Sequence, residues 1–127
     1  MPPDERIARE LLAALDAGDI DTALGLLTED VTFRFGSAEP AVGRAALAGT
    51  AAAMAGVVGS MSHEMLAVWT TGAPDPAVIC ETSVTYVRHD GSGVSLPCVS
   101  IFRLRDGLVA DYRIYMDVNP ALAPLTA

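Results

Sequence analysis

The second half of the chain constrains the fold most. Four segments rich in β-formers follow one another from residue 62 to residue 118: "SHEMLAVWT", "AVICETSVTYVR", "VSLPCVSIFRLR" and "LVADYRIYMDV". Between them stand only turn signals, "GAPDP", "HDGSG" and "DG", too short for anything but a reversal of direction. Strands joined by tight reversals pair with their sequence neighbours, so the pattern predicts a four-strand antiparallel meander.

The first half has a different period. Ile7, Leu11, Leu12 and Leu15 recur at helical spacing, predicting a helix over 4–17 with Asp4 as cap and Gly18 as stop. "DIDTALGLLTED" predicts a second short helix capped by Asp19 or Asp21, and "DVTFRFG" predicts a strand over 30–36. An Ala-rich helix is expected from about Arg44 to Val58. A meander needs a cover for its apolar face, and three helices are at hand. The expected architecture is α+β, an antiparallel sheet with its helices gathered on one face. At 127 residues, the whole of 1–127 is expected to form one domain.

Charge narrows the partners. The net charge is −8, with eight basic side chains, all of them Arg, spread along the chain. No basic patch can be built from these, which argues against nucleic acid or an anionic membrane as a partner. The N-terminal "MPPDERIARE" has no apolar core of the kind a signal peptide carries. The longest apolar-rich run, 45–61, is mostly Ala and is interrupted by Gly, Thr and Ser, so no membrane span is expected. Cys80 and Cys98 lie outside any CxxC pattern, without His at zinc spacing. They are expected to be buried free thiols, in keeping with a cytoplasmic location. Neither a Gly-rich phosphate loop nor a metal-ligand cluster is seen, so no cofactor or metal is expected.

Three stretches together carry a family resemblance: "LDAGDIDTALGLLTEDVTFRFG", "VGRAAL" and "LPCVSIFRLRDGLVADYRIYMD". The chain resembles the nuclear transport factor 2-like superfamily, in particular its SnoaL-like branch, over about residues 5–120. The resemblance implies a cone: a strongly bent sheet closed by helices, with an internal cavity for a small apolar molecule, and commonly a homodimer. Within the superfamily, limonene-epoxide-hydrolase-like enzymes use an Asp–Arg–Asp set. Aligned by hand, those positions fall on Thr85, Ser83 and Ile114, and the residues that hold water fall on Phe33 and Phe35. The base and the oxyanion-binding Tyr and Asp of ketosteroid-isomerase-like enzymes fall near Phe35, Leu11 and Ser100. Neither set is present.

Hairpin register decides which side chains share a face. Turning at "HDGSG" sets Thr85 opposite Leu96, Ser83 opposite Cys98 and Glu81 opposite Ser100. Turning at "DG" sets Ser100 opposite Tyr112, Cys98 opposite Ile114 and Leu96 opposite Met116. The looser turn at 72–76 adds His63 and Met65 to the same face. By the hand alignment this is the cavity face, walled further by Phe33, Phe35 and Trp69. Its polar band holds the candidate catalytic groups Glu81, His63 and Tyr112. A carboxylate facing an apolar cavity could move protons near neutrality, a histidine could share that work, and a phenol could hold a developing oxyanion. Met65, Trp69, Ser83, Thr85, Cys98, Ser100, Ile114 and Met116 are the expected ligand contacts, with Phe33 and Phe35.

The other face carries Val84, Tyr86, Val99, Ile101 and Tyr115, too apolar for water, and is expected to pair with a second copy of the chain. Two readings follow. One is a cofactor-independent cyclase, isomerase or hydrolase that moves protons on a small apolar carbonyl or polyketide-like compound. The other is a non-catalytic ligand-binding or structural dimer module. They diverge on whether a titratable side chain faces an open cavity.

Overall fold

A computed structural model describes residues 1–122 of the chain. Helix α1 spans Pro3–Asp16 and α2 spans Ile20–Gly25, followed by strand β1, Leu27–Phe35. A two-residue strand β2, Ala41–Val42, precedes helix α3, Arg44–Ala55. The meander comprises β3, Val58–Thr70; β4, Ala77–Arg88; β5, Gly93–Arg105; and β6, Leu108–Tyr115, ahead of a single turn, α4, Asn119–Leu122. All six strands join one sheet in the order β2-β1-β6-β5-β4-β3. The expected α+β architecture is observed. β1 departs from the antiparallel rule, running parallel to β6 with Phe33 beside Tyr112.

Local signals account for most element ends. Asp19 caps α2, its carboxylate accepting the Thr22 N–H at 3.2 Å and the Thr22 hydroxyl at 2.6 Å. Helix α1 instead opens on Pro2–Pro3 without a side-chain cap, so the capping expected of Asp4 is not made. The apolar stripe of α1 lies against the sheet. Ala8, Leu11 and Leu12 pack on Val78, Cys80, Phe102, Leu104, Val109 and Tyr112 in one buried cluster. Truncating the fully buried Leu11 to Ala should cost about 2–5 kcal/mol.

Two turns set the faces of the meander. At β4–β5 the loop has three residues, His89–Gly91: the Arg88 N–H donates to the Ser92 carbonyl at 2.7 Å, and Gly91 sits at φ +89°. This is a three-residue hairpin closed by a left-handed glycine, and it makes the register one residue shorter than a four-residue loop. Thr85 therefore pairs with Ser95, Ser83 with Pro97 and Glu81 with Val99. One residue of slip exchanges the faces of the whole strand. Val78, Cys80, Thr82, Val84 and Tyr86 point inward and are buried, while Glu81, Ser83 and Thr85 point outward.

At β5–β6 the two-residue turn Asp106–Gly107 has positive φ at both positions, 54° and 79°. It pairs Arg105 with Leu108, but a bulge at Ala110 then advances the register so that Phe102 meets Tyr112 and Ser100 meets Ile114. These partners differ by two residues from the expected ones, and an even shift keeps the face. Leu96, Cys98, Ser100, Phe102 and Tyr112 are accordingly buried, as expected.

Candidate functional site

The cone encloses a cavity of about 530 Å³, within the range of roughly 300–1,000 Å³ usual for small-molecule sites. The end of α1 brings Leu15 and Asp16 to it, β1 brings Phe33 and Phe35, and α3 brings Leu47, Ala51 and Met54. The meander adds Met61 and His63 from β3, Tyr86 from β4, Cys98 from β5, and Tyr112, Ile114 and Met116 from β6 and its continuation. The wall is apolar except at a few places.

The most ordered polar group on that wall is a pair from opposite ends of the chain. Asp16, the last residue of α1, accepts the backbone N–H of His63 at 2.8 Å through one oxygen. Its other oxygen lies 2.6 Å from Nδ1 of the same residue. An ionised carboxylate only accepts, so Nδ1 carries the proton in the neutral ring and Nε2 holds the lone pair. The His63 side chain is 8% exposed and Asp16 is 22% exposed. Backbone and ring held by one carboxylate leave the imidazole little freedom to swing.

Two phenols face the same space. Tyr112 is fully buried, stacked on Phe102 with centroids 4.6 Å apart and tilted against Phe33 at 5.5 Å. Burial drives its phenol far above the usual range, partly offset by hydrogen bonding with Ser100. Tyr86 donates to the Met116 thioether at 3.5 Å, and burial pushes it up to about 12. Burial likewise raises Cys98, against the opposing effect of hydrogen bonds from Ser100 and Thr82. Each of these groups holds its proton at neutral pH and can donate it in a hydrogen bond.

The expected site residues divide. His63, Tyr112, Cys98, Ile114, Met116, Phe33 and Phe35 line the cavity. Ser100 is buried behind the wall, and Met65 packs into the core beside α1. Glu81 is exposed on the outer face, Thr85 bonds the Ser95 hydroxyl there at 2.8 Å, and Ser83 faces the same way. The three-residue loop that shifts β4 displaces all three. Trp69 is also outside, 55% exposed, because a bulge at Leu66 reverses the alternation of β3 and turns Val68 inward. Of the residues expected on the outer face, Val84 and Tyr86 lie inside at 0% and 2% exposure, again through the β4 register. Val99, Ile101 and Tyr115 remain outside.

Asp16 was not among the expected site residues, though a physical signal marks it. A carboxylate in the last turn of a helix opposes the helix dipole, so its presence there calls for another partner. Among the described residues no group of three or more His, Cys, Asp or Glu could hold a metal ion, and no helix is long and apolar enough to cross a membrane.

A curved sheet closed by three N-terminal helices around a side-chain-lined cavity defines an α+β cone. Residues 8–112 match the family model for the SnoaL-like domain, and the chain belongs to that family. Solved structures share the fold at low identity. A nuclear transport factor 2-like protein of unknown function from Burkholderia pseudomallei superposes with a TM-score of 0.86 at 13% identity, covering 98% of this chain and 100% of that one. An epoxide hydrolase of the limonene-epoxide-hydrolase-like type from M. tuberculosis has a TM-score of 0.77 at 23% identity, covering 94% and 89%. A putative polyketide cyclase from Xanthomonas campestris has a TM-score of 0.73 at 19% identity, covering 98% and 97%. At these identities the likeness is one of fold.

Proposed function

We propose that this SnoaL-like domain is a cofactor-independent enzyme that moves a proton on a small, largely apolar carbonyl compound. One observation carries the reading: an Asp16–His63 pair stands on the wall of an otherwise apolar cavity. Nε2 of His63 takes a proton from carbon next to the carbonyl. The C–H electron pair becomes the new C=C bond, and the carbonyl π pair moves to oxygen. Asp16 stabilises the imidazolium and keeps the reactive nitrogen aimed at the cavity, as a positioning residue. Return of the proton from His63 to a different carbon of a conjugated enolate completes an isomerisation. Attack of the enolate carbon on a second carbonyl, whose π pair moves to its oxygen and takes up the proton from His63, completes a cyclisation. The catalytic roles thus fall to His63 and, through it, Asp16.

The test needs no knowledge of the natural substrate. Small apolar ketones are incubated with the protein in deuterated water, and loss of their α-protons is followed by NMR. The expected result is exchange above background that His63→Gln lowers by about 10²- to 10⁴-fold. If no ketone exchanges, the domain is a non-catalytic binding module; if the variant exchanges them as fast, His63 is not the base.

The assembly proposed with this function is a cytoplasmic homodimer through the outer sheet face. The patch runs through Trp69, Ile79, Val99, Ile101 and Tyr115, with Leu66 at its edge. Leu66, Trp69 and Tyr115 are 57%, 55% and 45% exposed in the single chain. A contiguous apolar face of this kind is the usual mark of a partner surface.

A further inference from the structure

Tyr86 is poorly used by the folded protein. It is 2% exposed, yet the hydrogen bond its phenol donates goes to the Met116 thioether, at 3.5 Å. Buried phenols ordinarily find an oxygen acceptor, and a thioether sulfur is a weak substitute. Tyr112 contrasts with it, because its ring is fixed by stacking on Phe102 and by a tilted contact with Phe33. Met116, which accepts from Tyr86, lies just past the end of β6 at the cavity wall and is half-buried. Its unbranched side chain can turn aside at little cost.

Register brings this phenol close to the base. Met61 pairs with Tyr86 and His63 pairs with Val84, so Tyr86 and His63 are diagonal neighbours on the inward face. Diagonal neighbours on adjacent strands stand about 7–8 Å apart, and two long side chains at that distance can grip one small molecule from both sides.

We infer that Tyr86 is a further catalytic residue, the donor that holds the substrate's carbonyl oxygen, which takes the place at the phenol that the Met116 sulfur holds in this structure. The inference rests on the proton-transfer reading of His63 and names its substrate class: a ketone or enone whose acidic C–H and carbonyl oxygen lie on adjacent carbons. As His63 Nε2 takes the proton, the negative charge that appears on oxygen meets an O–H already aimed into the cavity. Tyr86 keeps its proton as a hydrogen bond throughout, so no other proton donor is consumed. Held at about 12 by burial, the phenol remains a donor wherever His63 can act as a base.

The experiment uses para-nitrophenol, whose bound ionisation state is read from the absorption of its anion, alongside the ketone exchange assay. The wild-type protein should bind the anion, Tyr86→Phe should bind it at least about 10-fold more weakly, and Met116→Leu should bind it as well or better. Ketone exchange in Tyr86→Phe should fall about 10²- to 10³-fold. Unchanged nitrophenolate affinity in Tyr86→Phe, or no binding by the wild type, overturns the role of Tyr86. If no ketone exchanges but Tyr86→Phe still loses the anion, the proton-transfer reading fails while Tyr86 stands as an oxygen-binding residue. Should Tyr86→Phe not fold, ring-labelled wild-type tyrosine serves instead. The carbon-13 signal of Tyr86, assigned with Tyr112→Phe and Tyr115→Phe, should move on adding nitrophenol, and a signal that stays put overturns the inference.

Discussion

One carboxylate, that of Asp16, takes both the backbone N–H and the ring Nδ1 of His63, at 2.8 and 2.6 Å. The two residues lie 47 positions apart and belong to the first helix and the far edge strand. The contact therefore closes the cone and orients the imidazole in one step. Two effects should be separable by mutation.

Asp16→Asn keeps the size of the side chain but removes its charge, so the imidazolium loses its counter-ion and the tautomer is no longer dictated. Ketone exchange should fall by about 10²-fold or more, while affinity for nitrophenol changes little. Asp16→Ala also leaves the His63 N–H and Nδ1 without their partner, and should lower stability by about 1–3 kcal/mol in urea titrations. Full exchange activity in Asp16→Asn would remove the pair from the mechanism.

Glu81 offers the opposite test. It lies exposed on the outer face, paired across the strands with Val99 and Ala67. Glu81→Gln should leave the rate of ketone exchange unchanged and stability within about 0.5 kcal/mol. A large loss of activity would require β4 to expose its other face to the cavity.

These two carboxylates show which parts of the site are legible in a sequence. Element order, the antiparallel meander and the inward faces of β5 and β6 follow from alternation and turn residues. Tyr112, Ile114 and Met116 keep their predicted face because the two-residue turn and the bulge at Ala110 each shift the partners by one, an even total. The face of β4 does not follow, because "HDGSG" is compatible with loops of either parity, and one residue of register decides whether Glu81 or Tyr86 lies inside. Here burial held the better clue: outward Val84 and Tyr86 would have left Glu81, Ser83 and Thr85 facing the core. Asp16 escaped for another reason. Its partner is fixed only by how α1 docks across β3, a tertiary relationship with no local pattern.

The two cysteines should be inert in the native protein. Cys80 is fully buried and pushed up to about 11, and Cys98 is raised as well, in both cases chiefly by burial. Thiolate is the reactive form, so iodoacetamide at about pH 8 should label neither residue in the folded chain and both in denaturant, as read by mass spectrometry. Rapid native labelling of Cys98 alone would mean that the cavity admits water and reagent freely.

The outer face predicts a dimer with a defined centre. Trp69 pairs with Ile79 and Ile79 with Ile101, a row of apolar side chains across three strands. Ile101→Asp should shift sedimentation to that of a monomer with little change in circular dichroism. An Ile101→Asp protein that still sediments as a dimer would place the interface elsewhere.

Alkaline pH should weaken the fold through the same burial that keeps Tyr86 protonated. Its phenol lies at about 12 in the folded protein against an ordinary value of 10.0, and Cys80 at about 11 against 9.0. Below the ordinary values both states hold the proton and neither group changes stability. Above them the unfolded chain releases protons that the folded chain retains, so stability is lost as pH rises. The loss belongs to Cys80 between pH 9.0 and about 11, and to Tyr86 between pH 10.0 and about 12. Thermal unfolding followed across this range should show Tm falling from about pH 9 upward. Cys80→Ala should flatten the first part of the fall and Tyr86→Phe the second, whatever each variant does to Tm at neutral pH. A Tm that stays level through pH 11 would show that water reaches both groups in the folded state.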